Sequence, residues 1–203
     1  MKFGPSFQKQ EANWYFGHKG VSGYVGRAAP SVDWFYIAGL EGKVVRIDRT
    51  KGQPDPSGWF VPLGAGSRGT PLIWNGVVYT TDYSGRVTAI DPASPSSPRA
   101  VAELKTSIDA GPLHTADKLI IAGWDGIIRA LDPATGAAAW EFDCGKVVRC
   151  TPRLSNGLVI AGDRGGVLHA LDQQTGEEKW HAQLNGEIYG TPAVDLVDIV
   201  RIE

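Results

Sequence analysis

Prolines recur along this chain at Pro30, Pro71, Pro112, Pro152 and Pro192, at spacings of 41, 41, 40 and 40 residues. A fixed period of that length constrains the fold more than any local propensity, because each unit must be one supersecondary block that buries its apolar faces only against its neighbours. Three further markers keep the same phase. Thr precedes the proline at Thr70, Thr151 and Thr191. An apolar–Asp pair recurs at Ile47-Asp48, Ile90-Asp91, Leu131-Asp132 and Leu171-Asp172, with a glycine six residues before each Asp, at Gly42, Gly85, Gly126 and Gly166. Tryptophan stands twelve residues before the next proline at Trp59, Trp140 and Trp180.

One unit, Thr151 to Trp180, reads as four strands. Strand A carries the Thr-Pro and ends at Asn156-Gly157, a strong two-residue hairpin signal. Strand B is Leu158 to Ala161, and a turn at Arg164-Gly165-Gly166 leads into strand C, Val167 to Leu171. The D-x-x-T-G segments at Asp132–Gly136 and Asp172–Gly176 are turns, with Asp accepting from backbone amides and Gly in the left-handed position. Strand D carries the tryptophan. No segment has helical periodicity. Four strands every forty residues predict an all-β fold, a β-propeller of four-stranded antiparallel blades. The complete blades fall at about 26–66, 67–105, 106–145 and 146–185. A partial fifth is assembled from 186–203 with 10–18, where Trp14 would sit on an outer strand.

The pattern G-x-[VI]-x-A-L-D-x-x-T-G-x-x-x-W resembles the repeat of the pyrroloquinoline-quinone (PQQ)-like propellers. That family includes quinoprotein dehydrogenases and the propeller lipoprotein of the outer-membrane barrel-assembly machinery. The resemblance runs over residues 26–194 and implies that the repeat Trp docks between blades. The second unit departs from it: Ala100 replaces the Trp and its turn is the longer P-A-S-P-S-S-P, so a looser outer edge is expected there. Residues 1–203 are then one propeller domain or a propeller fragment, either an arc of a seven- or eight-bladed ring or a small ring closed by its own ends.

Composition narrows the function. Lys+Arg total 20 against Asp+Glu 22, a net charge of −2, so no basic excess points to nucleic acid. No run approaches the ~20 apolar residues of a membrane span, and the first ten residues lack the apolar core of a secretory signal. If Met1 is the native start the expected location is cytoplasmic; for an excised domain it is periplasmic or extracellular. Cys144 and Cys150 fit no zinc or redox spacing and are expected as free thiols. His18, His114, His169 and His181 lie at different repeat phases, so no metal site is expected, and the histidines should be at the surface or lightly buried. No phosphate-binding glycine loop or nucleophile elbow occurs.

The repeat residues Trp59, Trp140, Trp180, Asp91, Asp132 and Asp172 are expected to be architecture, since no active site needs several copies of one residue. The resemblance implies that PQQ with calcium would require a carboxylate cluster and, in the alcohol enzymes, adjacent cysteines, which this sequence lacks. No cofactor is therefore expected. One phase carries charge: three residues before each proline stand Arg27, Arg68, Asp109, Arg149 and Tyr189. Placed near the start of the innermost strands, they would form one ring at the channel mouth, suited to carboxylate or phosphate. The expected function is a non-enzymatic binding or scaffold propeller for a protein or anionic ligand. Its expected partners are a protein or further blades, with self-association of an open arc. The alternatives are a fragment of a PQQ-dependent oxidoreductase and the extracytoplasmic sensor domain of a larger protein.

Overall fold

The computed structural model describes Gly23 and residues 27–194. Sixteen strands form four separate antiparallel sheets of four strands each, and there is no helix among the described residues. Blade 1 contains β1 (Ala29–Pro30), β2 (Trp34–Gly39), β3 (Lys43–Asp48) and β4 (Phe60–Pro62). Blade 2 contains β5 (Leu72–Trp74), β6 (Val77–Thr81), β7 (Arg86–Ile90) and β8 (Arg99–Glu103). Blade 3 contains β9 (Leu113–His114), β10 (Leu119–Ala122), β11 (Ile127–Leu131) and β12 (Ala138–Asp143). Blade 4 contains β13 (Arg153–Ser155), β14 (Leu158–Gly162), β15 (Val167–Asp172) and β16 (Glu178–Gln183). In every sheet the strands are joined in sequence order, a meander. The chain is a propeller of four described blades.

Turn chemistry fixes the meander. The β5–β6 and β13–β14 hairpins turn on Asn75-Gly76 and Asn156-Gly157, where both residues have positive φ (51° and 77°, 49° and 75°). That is the two-residue geometry whose twist matches paired strands, and Asn and Gly adopt it at least cost. Between β11 and β12, Asp132 Oδ1 accepts from the Ala134 and Thr135 amides and the Thr135 hydroxyl. Asp172 accepts the Gln174 and Thr175 amides between β15 and β16, and Asp91 accepts the Ala93 amide.

The core lies between the sheets. Val78 and Ile90 of blade 2 face blade 1 and pack with Tyr36, Val44, Trp59 and Val61. Tyr79, Val87 and Ala89 face the other way, into a continuous cluster running through blades 3 and 4. This alternation along one strand is what a sheet covered on both faces requires. Ala89, Ala130 and Ala170, two residues before the repeat Asp, are 6%, 0% and 0% exposed. Ala130 and Ala170 lie directly opposite Trp140 and Trp180 across the strand pair.

Tryptophan closes two seams in the same way. Trp59 Nε1 donates to Pro92 O at 3.0 Å, and Trp140 Nε1 donates to Gln173 O at 3.1 Å. In each case the acceptor is the residue after the repeat Asp of the next blade. Gly176 lies under Trp140, where an added Cβ would come within 2.6 Å of the indole. At blade 2, where Ala100 stands in place of tryptophan, the neighbouring Arg99 donates to Pro133 O at 2.8 Å and to Ala134 O at 3.1 Å, in the turn that follows the repeat Asp. One expectation needs correcting. Trp180 is not buried in a seam. It is 44% exposed, because among the described residues no further blade offers a turn to it. Residues 186–194 form no strand, and Trp14, residues 10–18 and residues 195–203 lie outside the described residues.

Candidate functional site at the channel mouth

The connection from the outer strand of one blade to the inner strand of the next recurs at every seam and ends in the repeat proline. Its backbone is anchored by a repeated bond: Tyr83 N donates to Gly66 O, Trp124 N to Ser107 O and Arg164 N to Val147 O, each at 2.9 Å. Leu40 N donates to Gly23 O in the same relation at 3.0 Å. Ser67, Ile108 and Val148, fully buried, pin the connection from below. The residue following each of them is thereby held at the rim.

Those rim residues are Arg68, Asp109 and Arg149. Together with Arg27 and Tyr189 they line a single cavity of about 480 Å3, completed by Thr70, Thr151 and Thr191. Their position in the chain differs in one respect from the sequence reading. All five lie in the connections, outside strands β1, β5, β9 and β13. The inner strands are only two or three residues long and begin around or after the proline, which lacks the N–H needed for a ladder bond.

Electrostatically the mouth is uneven. Arg149 forms an ion pair with the buried Asp109 through both Nε and Nη2, and its guanidinium lies 4.8 Å from the Trp124 ring centroid. Asp109 Oδ2 is taken by this pair, while Oδ1 makes no hydrogen bond of good geometry among the described residues. The Tyr83 phenol beside it is pushed up to about 12, first by burial and then by the negative charge of Asp109. Tyr189 is 54% exposed, and its hydroxyl is engaged by Glu187 and by Arg164 at 2.7 Å. Arg164 also pairs with Glu187 at 2.8 Å. Arg27 and Arg68 are exposed, and neither meets a carboxylate at salt-bridge distance among the described residues. Three arginines and one aspartate leave a formal local charge of +2 on the cavity lining.

Sequence reading missed the second tier: Tyr83, Trp124 and Arg164. Their signal was present, since each stands two residues before a repeat glycine, at Gly85, Gly126 and Gly166. The threonines before the prolines were seen as markers and not as lining. Also missed was the buried aspartate of the turn before β7. Asp82 accepts from the Ser84 and Arg86 amides and from Gly64 N across the seam.

The remaining candidates lie apart from the mouth. His169 is 6% exposed and therefore buried, against expectation, with its ring held by Glu178 at 2.7 Å and Asp163 at 3.4 Å. His114 stacks on Trp74, its centroid 5.2 Å away, and His181 bonds Glu178 at the surface. His18 lies outside the described residues. Cys144 and Cys150 are free thiols. No group of three or more His, Cys, Asp or Glu side chains that could hold a metal occurs among the described residues.

Comparison with known proteins agrees with this architecture. The family described as outer membrane protein assembly factor BamB matches residues 124–200. The crystal structure of BamB from Moraxella catarrhalis superimposes with a TM-score of 0.70 at 22% identity, covering 84% of this chain and 53% of that one. A computationally designed protein, Ika8, gives 0.67 at 14% identity, covering 83% and 52%. Among curated proteins, the quinohemoprotein alcohol dehydrogenase ADH IIB of Pseudomonas putida is 33% identical over 124 residues, 53% of this chain and 18% of that protein. The dehydrogenase subunit of a quinone alcohol dehydrogenase from Gluconacetobacter polyoxogenes is 29% identical over 130 residues, again 18% of its length. The chain thus spans about half of these solved structures and under a fifth of the curated dehydrogenases. By repeat, sheet architecture and relatives, the chain resembles the PQQ-like repeat β-propellers.

Proposed function

We propose that this chain is a non-enzymatic binding propeller whose channel mouth receives a carboxylate- or phosphate-bearing group, presented by an acidic segment of a partner protein. The observation that carries this reading is the pairing state of the three arginines. Arg149 is held by Asp109, whereas Arg27 and Arg68 line the same cavity with no carboxylate at salt-bridge distance among the described residues. Guanidinium groups converging on a partly enclosed mouth concentrate positive potential and match the planar fork of a carboxylate. The threonine hydroxyls lining the cavity supply neutral donors beside them. Under this reading Tyr189 is a wall of the site, since its hydroxyl is already engaged. The similarity to BamB, an outer membrane assembly factor by name, is in keeping with a protein-binding role.

A second reading, a segment of a quinone-dependent dehydrogenase, draws on the curated relatives. The described residues do not fit a calcium–quinone centre. Among the described residues Asp109 is the one carboxylate lining the mouth and its Oδ2 is held by Arg149, and Cys144 and Cys150 are six positions apart.

One experiment separates the two. The protein is incubated with PQQ and Ca²⁺ and followed for cofactor absorbance and alcohol-dependent dye reduction, in parallel with binding to acidic, neutral and basic peptide arrays. The binding reading expects retention of acidic peptides, weakened by salt, with no dye reduction. Dye reduction, or equal retention of all three peptide classes, overturns it.

A further inference from the structure

The two end blades present the two halves of one seam. At each internal seam a blade offers its outer-strand donor and the apolar residues around it, and the next blade offers its repeat turn and the opposite face. Blade 4 carries the first half with no further blade over it among the described residues. Trp180 is 44% exposed, and with Leu158, Leu168 and the buried Ile160 it lines a cavity of about 380 Å3 that also takes in Pro192, Ala193 and Val194 of the segment following blade 4. Forty residues earlier, the matching Ile120, Ile128 and Trp140 of blade 3 are 0%, 0% and 8% exposed beneath blade 4.

Blade 1 carries the second half. Val78 and Ile90, which pack blade 2 onto blade 1, are fully buried. Their counterparts by strand register are Phe35 and Ile47, and Phe35 is only half-buried. Ile73 packs against the same seam, and its counterpart two residues after the repeat proline, Val32, is 84% exposed. The blade 1 turn is also built like two of the turns that accept a donor across a seam, from Arg99 and from Trp140. Gly52 N donates to Asp48 O at 2.9 Å, as Gly136 N does to Asp132 O and Gly176 N to Asp172 O. Among the described residues the turns at Asp91, Asp132 and Asp172 each receive a donor from the preceding blade, from Trp59, Arg99 and Trp140. Among the same residues the turn at Asp48 receives none.

We infer that blade 4 of one copy docks onto blade 1 of a second copy, with Trp180 Nε1 donating to the Arg49 carbonyl, and that two such seams close a head-to-tail dimeric ring. The geometry is a continuation of the internal seams, so no new kind of contact is required. The proportion is in keeping with two arcs: this chain covers 53% and 52% of the two solved structures it matches. Because the interface is heterologous, ring closure, here at two copies, is what prevents open-ended growth.

Sedimentation equilibrium on the 203-residue chain tests this. Wild type is expected near twice 21.7 kDa. Trp180→Glu and Val32→Glu should each raise the dimer dissociation constant by about 30-fold or more, as loss of a central interface anchor does. Mixing the two variants should recover dimer, because one intact half from each forms one good seam. Circular dichroism checks the fold, and Val32→Glu, in an exposed turn, carries the test alone if Trp180→Glu fails to fold. A monomer at all concentrations, showing the faces covered by the chain's own residues, overturns the inference. So do growth beyond two copies, dimers that ignore both substitutions, or a mixture no better than either variant alone.

Discussion

Arg99 bridges to Pro133 across the seam between blades 2 and 3, its Nη2 lying 2.8 Å from the Pro133 carbonyl. That carbonyl is the one that tryptophan occupies at the neighbouring seams, at Pro92 and Gln173. A guanidinium thus fills a donor role that the repeat assigns to an indole, from the same place in the strand register. Arg99 lies opposite Ala89 as Trp140 lies opposite Ala130, although it stands one residue earlier when counted from the next proline. It supplies the hydrogen bond without the apolar body of Trp.

The two kinds of seam should respond differently to truncation. Arg99→Ala removes hydrogen bonds at an exposed edge and should cost about 0.5–1.5 kcal/mol. Trp140→Ala removes a buried ring and should cost roughly 3–5 kcal/mol. Urea denaturation midpoints distinguish them. Equal losses would mean that Arg99 carries packing as well as donor function.

Ala130 faces Trp140 directly and has no exposed surface. Ala130→Leu should overpack the seam by about 1–3 kcal/mol. The same change at Ala170, opposite the exposed Trp180, should cost less in a monomeric state because the indole can swing outward. Thermal midpoints of the two variants check the order.

Acid sensitivity follows from the turns. Asp48 is lowered to about 2 by the Lys51 amide and the Thr50 hydroxyl and amide, and Asp132 and Asp172 are lowered by Thr135 and Thr175. A carboxyl whose folded pKa is depressed contributes stability that is present above its unfolded pKa of ~4 and is lost as pH falls through the folded value. The melting temperature should therefore hold above pH ~4 and decline towards pH ~2. The Asp132→Asn, Asp172→Asn double variant should begin lower and show a shallower decline.

Burial pushes both the Cys144 and the Cys150 thiols up, and Cys150 is further engaged with the Gly162 backbone. Thiolate is the reactive form. Both should react slowly with a disulfide reagent at neutral pH in the folded protein and promptly in urea. Rapid labelling of either under native conditions would contradict the packing described for blade 4.

What could be read from residues alone was whatever repeats by identity. The proline, glycine and aspartate markers placed the four described blades, because turn chemistry admits few substitutes. The channel-mouth ring was found by phase alone, with Arg, Asp and Tyr sharing one position. Its second tier escaped because Tyr83, Trp124 and Arg164 share a phase and no chemistry. Arg99 escaped because it stands one residue from the expected position. The exposure of Trp180 could not be read from its own repeat, because burial depends on the neighbouring blade and not on the tryptophan. The brevity of the inner strands is a consequence of proline at their entrance, which shifted the ring from strand to connection.

The mouth is tested most directly by calorimetric titration of one acidic peptide into wild type, Asp109→Asn and an Arg27→Ala, Arg68→Ala double variant. Arg149 is left in place, since removing it would strand the buried Asp109. The account predicts salt-sensitive binding to wild type, tighter binding to Asp109→Asn, where Arg149 is released and one negative charge is gone, and a loss of about tenfold or more in the double variant. Identical affinities across all three folded proteins would contradict it.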